Sequence, residues 1–227
     1  MRLLTHLMLA MTIMPLALAP QASAQEDSTS HMITYIEVTP AAKAQATTLL
    51  KELAAASKQD AGLLRFELLE RTAPTNQFVI VEAWKDEAAL NAHAAAAHTK
   101  QFRDKMQPHL LAPFDDRLSI VTTASPIKAA AGAGLYVVTH VDVAPPNRDK
   151  IIVALKALSE PTRKDKGNVR YDVLQMKART NHFTVVEAWS DQAADDAHEI
   201  APHTKEFRAV LGPLTGALYD QRWYKPL

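Results

Sequence analysis

Residues 77–84 read Gln77-Phe78-Val79-Ile80-Val81-Glu82-Ala83-Trp84, and residues 182–189 read His182-Phe183-Thr184-Val185-Val186-Glu187-Ala188-Trp189. Both stretches have the length and the β-branched and aromatic content of a strand. Side chains alternate along a strand, so Phe78, Ile80, Glu82 and Trp84 share one face and Val79, Val81 and Ala83 the other. Both faces are mainly apolar. A strand covered on one side only would alternate cleanly with polar residues. This one calls for helices over one face and a second sheet against the other.

The source of the second sheet lies in the chain itself. Shifting the sequence by 105 residues aligns Met32–Ser119 with Val137–Tyr224 without a gap, with about three-eighths of positions identical. A repeat of this kind is a duplicated structural unit. Ile33–Val38 alternates as a strand. Ala41–Lys58, and Arg148–Lys164 behind Asn147 as N-cap, read as helices. Gly62 and Gly167 follow as turn residues. Leu63–Arg71 and Gln77–Lys85 read as a hairpin. Asp86 and Asp191 suit helix N-caps for a helix reaching about His93, and a further helical piece starts near His98. Arg117–Val121 and Tyr219–Tyr224 read as last strands. The order β-α-β-β-α-β is the ferredoxin-like split unit. The fold class is α+β: two such repeats packed sheet to sheet as an intrachain α+β barrel.

The remaining segments complete the division. Met1-Arg2, an apolar run over Leu3–Leu18 and the small residues Ala22-Ser23-Ala24 form a secretory signal over residues 1–24. The mature chain is expected in the periplasm or secreted, with no membrane anchor after cleavage. Domain 1 is expected over 32–122, an Ala/Gly/Ser/Thr-rich linker over 123–134, and domain 2 over 135–227. With 25 Lys+Arg against 25 Asp+Glu, the chain lacks the basic surface that nucleic acid requires. It has no cysteine, which excludes disulfides, thiolate nucleophiles and iron–sulfur ligation. Gly62 and Gly167 stand alone, so no phosphate-binding loop and no nucleotide are implied.

The pattern Phe-x-x-x-Glu-x-Trp-x-Asp-x-x-Ala, then His, then His-x-x-x-Phe, following Gly-x-x-Arg-(Phe/Tyr)-(Glu/Asp), resembles the antibiotic biosynthesis monooxygenase family, and it occurs twice. That resemblance implies a dimeric α+β barrel, assembled here within one chain and free to associate further. It also implies a candidate activity: cofactor-independent oxygenation by O₂ of a quinol or other electron-rich phenol.

The residues that recur and titrate near neutrality are His93/His198 and His98/His203, candidate catalytic bases for taking a phenolic proton. Trp84/Trp189 would stack on a flat ligand. Glu82/Glu187 and Arg103/Arg208 would orient it or pair with each other, with Arg65/Arg170 as alternative partners of the glutamates. Phe102/Phe207 and Asn76/Asn181 join the candidate substrate site through the resemblance, although an Asn there also suits a turn. Arg65 with Glu67, and Arg170 with Asp172, suit a polar cluster between the sheets. A spacing of five places His93 and His98 on different sides of an ideal helix, and no carboxylate triad is evident, so no metal and no other cofactor are expected. Haem degradation fits poorly, because Thr34 and Thr139 stand where haem-degrading relatives carry Asn. The competing reading is a binding module for a small aromatic or hydrophobic ligand; a third is a repeat protein whose clefts are filled by side chains.

Overall fold

The computed structural model describes residues 29–127 and 130–227. The signal expected over residues 1–24 lies outside them. Among the described residues no helix is long and apolar enough to cross a membrane. The first repeat contains β1 (Ser30–Glu37), α1 (Lys43–Ser57), β2 (Leu63–Arg71), β3 (Gln77–Trp84), α2 (Glu87–Ala95), α3 (Ala97–Met106) and β4 (Asp115–Thr123). The second contains β5 (Leu135–Asp142), α4 (Arg148–Thr162), β6 (Asn168–Met176), β7 (His182–Trp189), α5 (Gln192–Glu199), α6 (Pro202–Leu211) and β8 (Asp220–Pro226).

The eight strands close into one barrel in the order β1-β3-β2-β8-β5-β7-β6-β4. Each repeat contributes four antiparallel strands. Its outer strands then pair with those of the other repeat: β2 with β8 through Leu69↔Pro226, and β4 with β6 through Ser119↔Met176. Closure leaves no strand edge open. The two sheets expected to face one another therefore also join edge to edge.

The two apolar faces of β3 go where their pattern sends them. Val79 and Val81 point inward and pack with Ile33, Val138 and Val186 in the barrel core. Phe78 and Ile80 point outward under α1 and α3, against Leu50, Leu53 and Phe102. In the second repeat Phe183 and Val185 do the same against Leu155 and Phe207. The polar cluster also forms. Arg65 bonds Asp172 at 2.9 Å and Arg170 bonds Glu67, linking the repeats across one end of the barrel.

One local reading is corrected. Asn147 is not a side-chain N-cap. It ends a 3₁₀ turn over Pro145–Asn147, and its side-chain amide donates to the carbonyl of Leu214. Within the linker, the amide of Ser125 donates to Asp172 Oδ1, and Ala130 and Ala133 pack on the barrel core.

Candidate functional site

The site forms where β3 runs into α2. Asp86 caps α2 by accepting from the amide of Ala89 at 2.8 Å, which fixes the helix relative to the strand end. Gly62, at φ +84°, lets the α1–β2 turn approach α2; a Cβ there would lie 2.7 Å from Ala89 Cβ. This close approach sets Asp60, two residues earlier, beside the end of α2. Gly167 and Ala194 repeat the arrangement, and Asp165 takes the corresponding place.

The helix then breaks. Ala96 adopts φ −64°, ψ 149°, so α2 and α3 are separate helices with different axes. The break turns His98 back toward His93. Both imidazoles reach one carboxylate oxygen: His93 Nδ1 lies 2.6 Å and His98 Nε2 3.0 Å from Asp60 Oδ2. The second repeat matches, with His198 Nδ1 and His203 Nε2 each 2.9 Å from Asp165 Oδ2. The expectation that the two rings diverge therefore fails: it laid the spacing of five on one ideal helix, whereas the break expected between His93 and His98 does form and brings the rings together. Asp60 and Asp165 went unnoticed, although the shared pattern Asp-x-Gly before β2 and β6 marked them.

His93 is buried and packs on the Trp84 indole, with ring centroids 4.7 Å apart and planes tilted by 31°. Burial lowers its pKa, opposed by the Asp60 carboxylate, and that of His198 is lowered likewise. With Nδ1–H donated to Asp60, the neutral ring has its lone pair on Nε2. Glu82 is buried and accepts a 2.7 Å hydrogen bond from Trp84 Nε1. Burial raises its pKa to about 7, and that of Glu187 to about 8. The expected arginine pairing of these glutamates does not form. Arg103 pairs with Asp116 at 3.0 Å and Arg208 with Glu199, while Arg65 and Arg170 belong to the barrel cluster.

Glu82, His93, Phe102 and Arg103 line one cleft between β3 and the α2–α3 segment, with Thr34, Ile80 and Thr99. The cleft holds about 40 Å³.

This geometry can be set beside known proteins. Residues 29–105 and 134–210 each match the family described as antibiotic biosynthesis monooxygenase. The chain belongs to the antibiotic biosynthesis monooxygenase family. A Bacillus subtilis (strain 168) protein named "Putative monooxygenase YcnE" is 35% identical over 81 residues, which cover 36% of this chain and 85% of that protein. The match therefore spans about one repeat. A structure of the same description from Fusobacterium nucleatum subsp. nucleatum ATCC 25586 superposes with a TM-score of 0.79 at 16% identity, covering 88% of this chain and 93% of that one. A structure of an anthrone oxidase-like protein gives 0.68 at 13% identity, covering 90% and 93%. At such identities the structural likeness speaks for the fold.

Within this family member, the remaining expected site residues fall elsewhere. Trp84 and Trp189 are fully buried, and Trp84 is not part of the cleft wall, so no indole face is presented to a ligand there. His98 is not among the residues that line the cleft; it shares Asp60 Oδ2 with His93 and lines a separate groove with Glu52, Gln101 and Lys105. Asn76 and Asn181 are structural: their side-chain amides donate to Val38 and Val143 carbonyls at 2.7 Å and tie the hairpin turn to the first strand of each repeat.

The two repeats also differ in matched pairs. Arg103 is held by Asp116 on β4, whereas the equivalent Arg208 is held by Glu199 on α5, with Gln221 at the Asp116 position. Leu90 packs with Leu118 in the first repeat. In the second, Asp195 accepts from Trp223 Nε1 at 2.8 Å at the same two positions. Tyr219 lies among Thr139, Glu187 and Arg208, the counterparts of the cleft residues Thr34, Glu82 and Arg103.

Proposed function

We propose that this protein is an exported monooxygenase that uses O₂ directly on a quinol or related electron-rich phenol. The observation that carries this reading is the orientation of His93: Nδ1 is locked on Asp60, leaving Nε2 as the basic nitrogen of a ring that lines the cleft. Removal of a phenolic proton by Nε2 gives an electron-rich anion. The anion reduces O₂ without an added donor. A quinol and O₂ give a hydroxyquinone and water; the substrate supplies all four electrons, two from the quinol couple and two from the C–H bond that becomes C–O. Arg103, held by Asp116, offers positive charge to the developing oxyanion. Glu82, with its pKa of about 7, remains largely uncharged in mildly acidic solution and does not oppose that anion. Phe102 and Ile80 provide apolar wall in place of the buried tryptophans.

The cleft's 40 Å³ is less than the ~150 Å³ of a cavity that holds benzene. Substrate entry therefore requires the α2–α3 segment to move outward, and the joint at Ala96 is where it would turn. The test is oxygen uptake with a panel of hydroquinones, comparing wild type with His93→Ala/His198→Ala. Uptake by the wild type no greater than by the double variant or by buffer overturns the reading. Export rests on the basic, apolar and small-residue order of residues 1–24. Its check is N-terminal sequencing of the protein recovered from outside the cytoplasm: a start at Gln25 is expected, and an intact Met1 overturns it.

A further inference from the structure

At Nδ1, the nitrogen that the proposed oxygenation does not use as base, His93 joins a second arrangement. His93 Nδ1, Asp60 Oδ2 and His98 Nε2 converge, as do His198 Nδ1, Asp165 Oδ2 and His203 Nε2, with the donor atoms of each trio within 4.8 Å of one another. We propose that each trio is a binding site for a divalent first-row transition-metal ion of the zinc, cobalt or nickel type, giving two sites per chain.

Four observations support this. Two imidazoles and one carboxylate are the donors such ions prefer, whereas calcium and magnesium favour all-oxygen sites. The donors of one tetrahedral ion lie about 3.3 Å apart at metal–nitrogen distances of ~2.0–2.1 Å. The carboxylate-to-imidazole separations of 2.6–3.0 Å need opening by roughly 0.3–0.7 Å. Asp60 and His98 are partly exposed, with side-chain exposures of 19% and 27%, which leaves the remaining coordination positions to water. In the second repeat, His198 Nε2 lies 3.8 Å from Glu187 Oε2, from which a short shift would give the hydrogen-bonded outer-shell carboxyl that metal-bound imidazoles commonly have.

The internal repeat adds a comparison. Around the trio the copies have diverged: Leu90 became Asp195, Ala94 became Glu199 and Asp116 became Gln221, or the reverse. All three donors are nevertheless present in both copies, on three separate segments. One imidazole would satisfy a buried hydrogen bond to the carboxylate; the second, partly exposed imidazole in each copy completes a donor set suited to an ion.

Occupancy has a consequence for the cleft. An ion on Nδ1 displaces the proton to Nε2, which then carries N–H in place of a lone pair. His93 becomes a donor and ceases to be a base, so the ion acts as an inhibitor of the proposed oxygenation and takes no part in it.

The experiment is titration of metal-free protein with Co²⁺, followed by the visible absorption of the bound ion and by equilibrium dialysis, without substrate. The expected result is two ions per chain, falling to one in His98→Ala and to none in His98→Ala/His203→Ala, with Glu52→Ala retaining two. Asp60→Asn/Asp165→Asn provides a second test in which both imidazoles remain, and binding is expected to weaken by at least tenfold. No binding at millimolar Co²⁺, or two ions retained by His98→Ala/His203→Ala, overturns the proposal. Because no turnover is read, its failure leaves the oxygenation reading untouched, and the reverse holds as well.

Discussion

Tyr35 and His140 occupy the same position in the two repeats, 105 residues apart, and meet across the barrel with Tyr35 Oη 2.6 Å from His140 Nε2. Residues related by the repeat touch only near the axis that relates the repeats. That axis therefore runs through the barrel, and one residue identity on each side makes the contact a hydrogen bond between unlike groups. The Tyr35 hydroxyl donates, because burial raises its pKa far above the ordinary tyrosine range. Arg117 Nη1, 3.2 Å from the same nitrogen, also presents a donor, and Asp220 stands 3.6 Å from Nδ1.

Acid sensitivity follows from this contact. Burial, with Arg117 and Arg222 nearby, lowers the pKa of His140 from 6.5 to about 4. The unfolded chain takes up a proton that the fold refuses, so stability falls as pH drops from 6.5 toward 4, by on the order of 3 kcal/mol. His140→Gln should flatten that part of the profile. The check is the unfolding temperature from pH 7.5 to pH 4.5, and an unchanged acid slope in the variant contradicts it.

The opposite end of the barrel predicts a larger effect. Arg65, Glu67, Arg170 and Asp172 form a buried quartet that exchanges partners between the repeats. Arg170→Met leaves carboxylates buried without their partner and should cost ~3–5 kcal/mol in urea unfolding. Arg170→Met/Glu67→Met should recover much of that loss. A double variant no more stable than the single one would contradict this.

Much of this framework was legible in the sequence. The ungapped offset and the doubly apolar β3 demanded a barrel, and the alternation of Val79 and Val81 with Phe78 and Ile80 assigned each side chain to its layer. The site was less legible for physical reasons. The His93–His98 spacing misleads when it is laid on one ideal helix; two helical pieces were legible, with Pro202 suited to a first helical turn in the second repeat, but not the angle between them. Asp60 reaches the histidines through tertiary approach at Gly62. Glu82 bonds the indole two residues along its own strand, where residue types alone favour an arginine partner.

Glu82 makes a pH prediction of opposite sign. Its pKa is raised from 4.5 to about 7 by burial, so the fold holds a proton that the unfolded chain releases. That contribution is complete below pH 4.5 and is lost as pH rises through about 7. Glu82→Gln, which keeps an oxygen for Trp84 Nε1, should stabilise the protein at pH 9 by on the order of 3 kcal/mol and do little at pH 4. Equal shifts in unfolding temperature at both pH values would refute it.

The repeats should contribute unequally to turnover. Tyr219 lies against Glu187 and Arg208, whereas its counterpart Phe114 packs on Phe102 and Arg103 and leaves Glu82, His93 and Arg103 lining the cleft. His93→Ala should therefore lower the steady-state rate by about 100-fold or more, the usual scale of a lost general base. His198→Ala should retain most of the activity. The reverse ranking would place the working cleft in the second repeat.

The most direct test of the account is quinol oxidation under ¹⁸O₂, with mass analysis of the product from wild type and His93→Ala. Direct oxygenation with His93 as base gives one ¹⁸O atom in each hydroxyquinone formed by the wild type, and product from His93→Ala reduced by about 100-fold or more. Product without ¹⁸O, or labelled product formed equally fast by His93→Ala, would contradict it.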